Sequence, residues 1–334
     1  MIDLHCHVLP GIDDGARSLD LAVEMCRLAA ARGCETLVAT PHQRRGAWWN
    51  CDRAALAALR RQLQEAVGPS PRILGGGEIH VDRSLLGEIL AHCRRDGAAA
   101  SAPEVSGGET SEAPEAPKAP ATQESPENPE IASGEEDVEG PLPLAGSRYL
   151  LLEFGAGTAA PDAAELVHEL SVGGWCPVLA HPELITWMVE DVAVIAHLVA
   201  LGALAQVTAM SVTGDFGRRA QADCLRLIDL GLVHFVASDA HDLKRRPPGL
   251  EAAWKRIART WGEAAARRLL VDNPGAVIAD RPLADTLGGD ARGAGARAGY
   301  AHAGGARGDD DHAGDGPRDG AAAEPEAAAR FGTR

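Results

Sequence analysis

The 334-residue chain is poor in aromatic side chains, with four Phe and two Tyr. Its core must therefore be built from Leu, Val, Ile and Ala. At 45% hydrophobic residues it has enough of them for one large domain or two modest ones. No two of the seven cysteines form a C-x-x-C pair, and an odd number suits a reducing compartment better than a disulfide framework. Positive charge is in deficit: 32 Lys and Arg against 48 Asp and Glu leave a formal charge of −16. A general binder of nucleic-acid backbone needs a basic face, so that class is set aside. No stretch is long and apolar enough to span a bilayer. The amino-terminal MIDLHCHVLPGIDDG lacks the basic region and apolar run of a signal peptide. The expectation is a soluble, cytoplasmic protein with no membrane span.

Two segments stand apart by composition. Residues 97–145 are rich in Ala, Pro, Glu, Ser and Gly, with Lys118 the only base between Gly97 and Gly146. Residues 283–334 are rich in Gly, Ala, Asp and Arg. Neither can bury enough surface to offset the entropy of ordering, so both are expected to be disordered. That leaves one domain over 1–282, interrupted by an acidic insertion at 97–145 and followed by a tail at 283–334.

Within the domain, short apolar runs alternate with helical patterns. Strands are expected at Asp3–Leu4 with Val8, Thr36–Thr40, Arg72–Leu74, Tyr149–Glu153, Pro177–Ala180, Ala205–Val207 and Val233–Ala237. Helices are expected at 20–32, 54–67, 162–172, 191–201, 218–230 and 249–260, with Gly33 a stop signal for the first. Strand and helix repeated in this way imply α/β architecture with a parallel sheet covered on both faces. With about seven or eight units, a closed or nearly closed barrel fits best, and an open doubly wound sheet is the alternative.

The strand ends carry the chemistry. The first runs into His5 and His7, then Asp13 and Asp14. TLVAT runs into His42, ILGGG into Glu78, YLLL into Glu153, PVLA into His181, and VHFVAS into Asp239 and His241. In α/β barrels, sites form at the carboxyl ends of strands. Imidazoles and carboxylates are the donor set for Zn, Mn or Fe. H-x-H on an extended segment puts both rings on one side. Each motif alone is more often a capping or solvated group than a ligand. Independent strands delivering the same residue types to the same relative place is a pattern that a bland fold has no reason to produce.

In order, MIDLHCHVLPGIDDGARS, VATPH, GGEI, YLLLEF, LAHPE, QVTAMSVTGDFG and VHFVASDAH…RRPP resemble the protein-tyrosine phosphatases of the polymerase-and-histidinol-phosphatase (PHP) superfamily, the type found in capsule and exopolysaccharide operons. The resemblance covers roughly residues 1–96 and 146–282. It implies a distorted (β/α)7 barrel of the PHP type and a cluster of two or three ions, commonly Mn2+, with Zn2+ or Fe2+ possible. The implied ligands are His5, His7, Asp14, His42, Glu78, Glu153, His181, Asp239 and His241, with Asp13 the second choice to Asp14. Arg246 is implied to hold the substrate phosphate, beside Asp239 and His241 at the catalytic centre. Two positions depart from the family pattern. Leu184 stands where the family usually has a second phosphate-binding Arg, so that contact is lost unless another base substitutes, for which Arg44 and Arg45 are candidates. Gln43 stands where the family often has a second His.

The implied activity is hydrolysis of protein phosphotyrosine, on a bacterial tyrosine kinase that controls capsule or exopolysaccharide synthesis. A metal-bridging hydroxide would attack phosphorus without a covalent intermediate. A small-molecule phosphatase of the histidinol-phosphate type, a DNA exonuclease and a non-catalytic scaffold are the alternatives. Cys26 and Arg32 have the C-x5-R spacing of cysteine phosphatases, but CRLAAAR lies in a helical pattern with no Gly, so Cys26 reads as a small buried residue. Trp48 and Trp49, after His42, are placed to flank an aromatic ring or simply to pack.

Overall fold

A computed structural model describes residues 1–81 and 140–284. Most of the 97–145 segment and of the 283–334 tail lies outside the described residues. The strands are β1 (Ile2–Cys6), β2 (Thr36–Ala39), β3 (His42–Gln43), β4 (Arg72–Gly75), β5 (Glu78–Val81), β6 (Tyr149–Phe154), β7 (Cys176–Ala180), β8 (Leu204–Thr208) and β9 (Phe235–Ala237). They form two sheets, β1-β2-β4 and β3-β5-β6-β7-β8-β9, and every pairing is parallel. The fold is α/β with parallel sheets, as the alternation of strand and helix predicts. The expected helices form at Leu19–Ala31, Arg53–Val67, Ala160–Val172, Val192–Ala200, Arg218–Asp229 and Glu251–Trp261. Side chains of Ser18 and Asp52 cap the first two by accepting from Leu21 N and Ala55 N.

Beyond the expected strands at Thr36–Thr40 and Arg72–Leu74, the structure adds a second short strand after each, β3 and β5. Thr40–Pro41 separates β2 from β3, and Gly76–Gly77 separates β4 from β5. Glycine is required at 76 and 77: an added Cβ would lie 2.9 Å from Val38 Cγ1 at Gly76 and 2.1 Å from Gln43 Oε1 at Gly77. Gln43 is fully buried and structural. Its amide donates to Asn50 O at 2.8 Å and accepts from Leu142 N at 2.8 Å. It thereby anchors the chain where it returns at Gly140. Composition alone groups residues 140–145 with the acidic segment. In the structure Leu144 is fully buried, and the Leu142–Leu144 spacing is the apolar signal that composition averages away.

Alternate residues of each strand enter two separate cores. Leu37, Ile73, Ile79, Leu150, Leu179 and Val236 join the helices in the larger one. Leu4, Val38, Tyr149, Leu151, Val178 and Phe235, drawn from both sheets, fill a second, smaller one. Along β6 this second face reads Tyr149, Leu151, Glu153: apolar first, then charged at the carboxyl end.

β1 breaks the alternation. Asp3 stands opposite Leu37 but Cys6 stands opposite Ala39, so β1 holds one extra residue. Leu4 and Cys6 consequently enter different cores. Such a bulge re-aims the side chains beyond it. It turns His5 and His7 onto the face that carries Glu153. No helix of the described residues is long and apolar enough to cross a membrane.

Candidate metal centre

His5 and His7 leave the bulged end of β1 with their Nε2 atoms 3.2 Å apart. Asp13 and Asp14 follow in the next loop, and the structure separates their tasks. Asp13 Oδ2 lies 2.9 Å from His7 Nδ1 and accepts from His42 N, while its Oδ1 accepts from Gly15 N. Asp13 therefore orients His7 from behind. Asp14 faces the other way, its Oδ1 3.1 Å from His42 Nε2 and 3.3 Å from His241 Nε2. Gly15 is needed here because an added Cβ would meet His7 O at 2.2 Å.

Glu78 opens β5 and sits among four imidazoles. Its Oε1 is 2.9 Å from His181 Nε2 and 3.4 Å from His5 Nε2; its Oε2 is 2.7 Å from His42 Nδ1 and 3.4 Å from His7 Nε2. Asp239 Oδ1, beyond β9, is 3.3 Å from His5 Nε2. His181 and Asp239 end their strands in the left-handed region, at φ 33° and 52°. That conformation is costly for residues with a Cβ and clusters at functional sites. Glu153 completes the set from β6, bonded to His80 Nδ1 at 3.0 Å.

The nine sequence-predicted ligand residues fall into four overlapping groups: His7 with Asp14, His42 and His241; His5 with Glu78 and His181; His5 with His7 and Asp239; and His42 with Glu78 and Glu153. Within each group the donor atoms lie within 4.8 Å of one another. On His5, Asp14, His42, Glu78, His181 and Asp239 burial opposes charge, and mutual attraction overrides it. The carboxylates of Glu78 and Asp239 push His5 up to about 10, and Asp14 and Glu78 push His42 up to about 9. In return, despite burial, Glu78 is held low by His5 and His181, and Asp239 by His5 and His181. His241 is lowered by burial and by the neighbouring His7.

Four buried atoms of this set make no hydrogen bond of good geometry, though imidazoles and carboxylates crowd them: Glu78 Oε2, His181 Nδ1, Asp239 Oδ1 and His241 Nε2. An unsatisfied buried polar atom costs about 1–3 kcal/mol. Four of them in one set of residues, all oxygen or imidazole nitrogen, suit divalent cations as the missing partners. The donor set therefore fits a metal cluster.

The cluster opens into a cleft of about 750 Å3. Arg246 stands at its edge, donating to Asp239 Oδ2 with its guanidinium 6.0 Å over the Phe216 ring. Asp242 Oδ1 accepts from Lys244 N and Arg245 N, shaping the loop that presents Arg246. Leu184, Phe154 and Trp187 line the cleft as well. Trp48 stacks on His42 with centroids 5.3 Å apart, whereas Trp49 is exposed. The segment Ser211–Gly217, which reads as a turn, starts inside a short helix, Ala209–Thr213, and brings Phe216 to the cleft. Cys26 is fully buried in the Leu19–Ala31 helix, and burial pushes its thiol up to about 12. No thiolate nucleophile is available there.

Sequence reasoning missed two supporting residues. His80 shares the Glu78 face at spacing i, i+2, a signal like H-x-H that could have identified it. Gln206, buried in β8, lies with Oε1 2.8 Å from His5 Nδ1, and a neutral amide inside an apolar strand carries no comparable signal.

The chain is similar to known proteins over most of its length. Tyrosine-protein phosphatase YwqE of Bacillus subtilis is 32% identical over 251 residues, covering 74% of this chain and 79% of the relative. Tyrosine-protein phosphatase CpsB of Streptococcus pneumoniae is 26% identical over 288 residues, covering 84% and 99%. A crystal structure from work on these two proteins, described as metal-dependent tyrosine phosphatases, superposes with a TM-score of 0.67 at 28% identity, over 85% of this chain and 96% of that one. The family model for capsular polysaccharide synthesis, CpsB/CapC, matches residues 1–94 and 135–279. The chain belongs to the CpsB/CapC family.

Proposed function

We propose that the chain is a metal-dependent phosphatase that hydrolyses phosphotyrosine in proteins. The observation that carries this reading is the convergence of nine His, Asp and Glu side chains into four overlapping groups beneath one cleft. His5, His7, Asp14, His42, Glu78, Glu153, His181, Asp239 and His241 would hold two or three ions, with Mn2+ the first choice and Zn2+ or Fe2+ suited to the same donors. Such ions lower the pKa of water and neutralise phosphate oxygens. The rest falls to the protein's own side chains. Glu78, in contact with four imidazoles, ties neighbouring groups together. Asp13 fixes the direction of His7. Arg246 offers a planar fork of donors to the phosphate. With Cys26 sealed in a helix, the reading has no covalent enzyme intermediate.

The same reading takes the two sheets as one closed, distorted seven-stranded barrel. β2 runs on into β3 and β4 into β5. Asp239 N donates to His5 O, and His7 N donates to Ala240 O, across the remaining gap. The inner faces of both sheets fill one cluster. Residues 1–282 are then one domain with an insertion. The substrate is a tyrosine kinase of capsule or exopolysaccharide synthesis, met in the cytoplasm.

The test is metal analysis of the purified chain together with a substrate panel of phosphotyrosine peptide, histidinol phosphate and single-stranded DNA, each with Mn2+. Phosphotyrosine peptide should be turned over, a chelator should stop turnover, and Mn2+ should restore it. Asp239→Ala should abolish activity and Cys26→Ser should leave it intact. Hydrolysis that survives both chelation and Asp239→Ala rejects the reading. Failure of the metal-loaded chain on every substrate favours a scaffold.

A further inference from the structure

A phosphate dianion above a cluster of acids and imidazoles needs cations on more than one side, and the arginines lining the cleft among the described residues are Arg246 and Arg45. We propose that Arg45 is the second cation that grips the substrate phosphate, delivered by a tight hairpin beside His42. This inference rests on the phosphatase reading given above.

The hairpin is built for one orientation. Arg44 N donates to Trp49 O, Arg45 N to Trp48 O, and Trp48 N to Arg45 O, around Gly46 at φ 56°. Asn50 pins its base by donating to His42 O at 2.8 Å and Ile12 O at 3.0 Å. Successive residues of a hairpin strand point opposite ways. The Arg44 guanidinium accordingly lies over the Trp49 ring at 4.7 Å and is not part of the cleft wall, while Arg45 is. Trp48 stacks on the same His42 ring that Arg45 approaches.

Arg45 Nη1 lies 2.6 Å from His42 Nε2 and 3.4 Å from Glu153 Oε1. Arg246 pairs with Asp239. The two arginines therefore stand beside different candidate metal groups, His42–Glu78–Glu153 and His5–His7–Asp239. Cations held by those groups would repel a guanidinium at this distance, and an anion lying between them removes the conflict. Arg45 has 37% of its side chain exposed, so it can be reached from the cleft. Leu184, on the same cleft wall, supplies no charge.

The experiment titrates orthophosphate into the metal-loaded full-length chain by calorimetry, with aryl phosphate kinetics and bound metal measured in parallel. Arg45→Ala should weaken orthophosphate binding and raise KM by about ten- to a hundredfold, the loss expected for one charge-assisted contact, with metal content unchanged. Arg45→Lys should recover part of the loss, and Arg44→Ala should behave as the parent. Orthophosphate binding that is equal in the parent and Arg45→Ala overturns the inference and leaves the phosphatase reading standing. Loss of metal in Arg45→Ala also overturns it, since Arg45 would then be supporting ligands. A metal-loaded parent that neither binds orthophosphate nor hydrolyses any phosphomonoester rejects both.

Discussion

At the scale of single residues, the site depends on side chains that touch no substrate. Asp13 uses both carboxylate oxygens to hold the loop and the His7 ring, at 2.9 Å from Nδ1. Partners of this kind set ligand direction and typically contribute about 10- to 100-fold in metal affinity. Asp13→Ala should therefore weaken metal binding by that order with the circular dichroism spectrum unchanged; unaltered affinity would remove Asp13 from the site. Gly15→Ala should be worse, because the new Cβ meets His7 O at 2.2 Å. Both metal affinity and Tm should fall, and a variant with parental Tm would refute the account of this turn. The H-x-H and D-x-H pairs were legible because alternation along an extended chain is a rule of geometry. The preference for Asp14 over Asp13 came from the family resemblance and not from spacing. Adjacent identical residues differ only in where the loop points them.

At the scale of elements, β8 and β9 are joined by a histidine outside the site. His234 N donates to Ala205 O, and Ala205 N donates to His234 Nδ1 at 3.1 Å, so the ring must be neutral at that nitrogen. Burial, helped by Arg268, lowers this imidazole to about 4, against about 6.5 in an unfolded chain. Between these values the unfolded chain binds a proton that the folded one refuses, so stability rises with pH across the window. Acidification from pH 6.5 to 4 should cost on the order of 2 kcal/mol through this ring, allowing for its partly exposed edge. Urea unfolding of His234→Gln should show a shallower loss over the same range; an identical slope would discount the ring. Strand positions such as Tyr149–Glu153 within β6 were legible from apolar runs. The bulge in β1 was not, because IDLHC contains no residue that marks one. The breaks at Thr40–Pro41 and Gly76–Gly77 hold Pro and Gly, but a single sequence does not distinguish a strand that ends from one that resumes.

At the scale of the whole molecule, all nine candidate ligands lie in 1–81 and 140–284, the described residues. The family model omits 95–134. The chain around this omission is held from its far side, where Gly140 N donates to Cys51 O and Leu142 N to Gln43. The composition of 97–134 offers little to a core, and shortening such a connection changes its closure entropy by only about 0.6 kcal/mol per halving. Deleting 97–134 should therefore leave turnover and Tm close to those of the parent in scanning calorimetry. A large fall in either would make the segment part of the working fold. Bound metal should raise Tm in proportion to the logarithm of its free concentration, as any ligand selective for the native state does, and a chelator should reverse the rise.

The slip of one residue between β1 and β2 makes the amino-terminal strand sensitive to length rather than to composition. With Ile2 kept opposite Thr36, an extra residue placed between Ile2 and Leu4 would reverse the parity of everything after it. Both imidazoles would rotate toward the helices, and the Cys6 thiol would take their place facing the acids. A chain altered in this way could keep its hydrophobicity, its charge and every ligand residue, and still have no site.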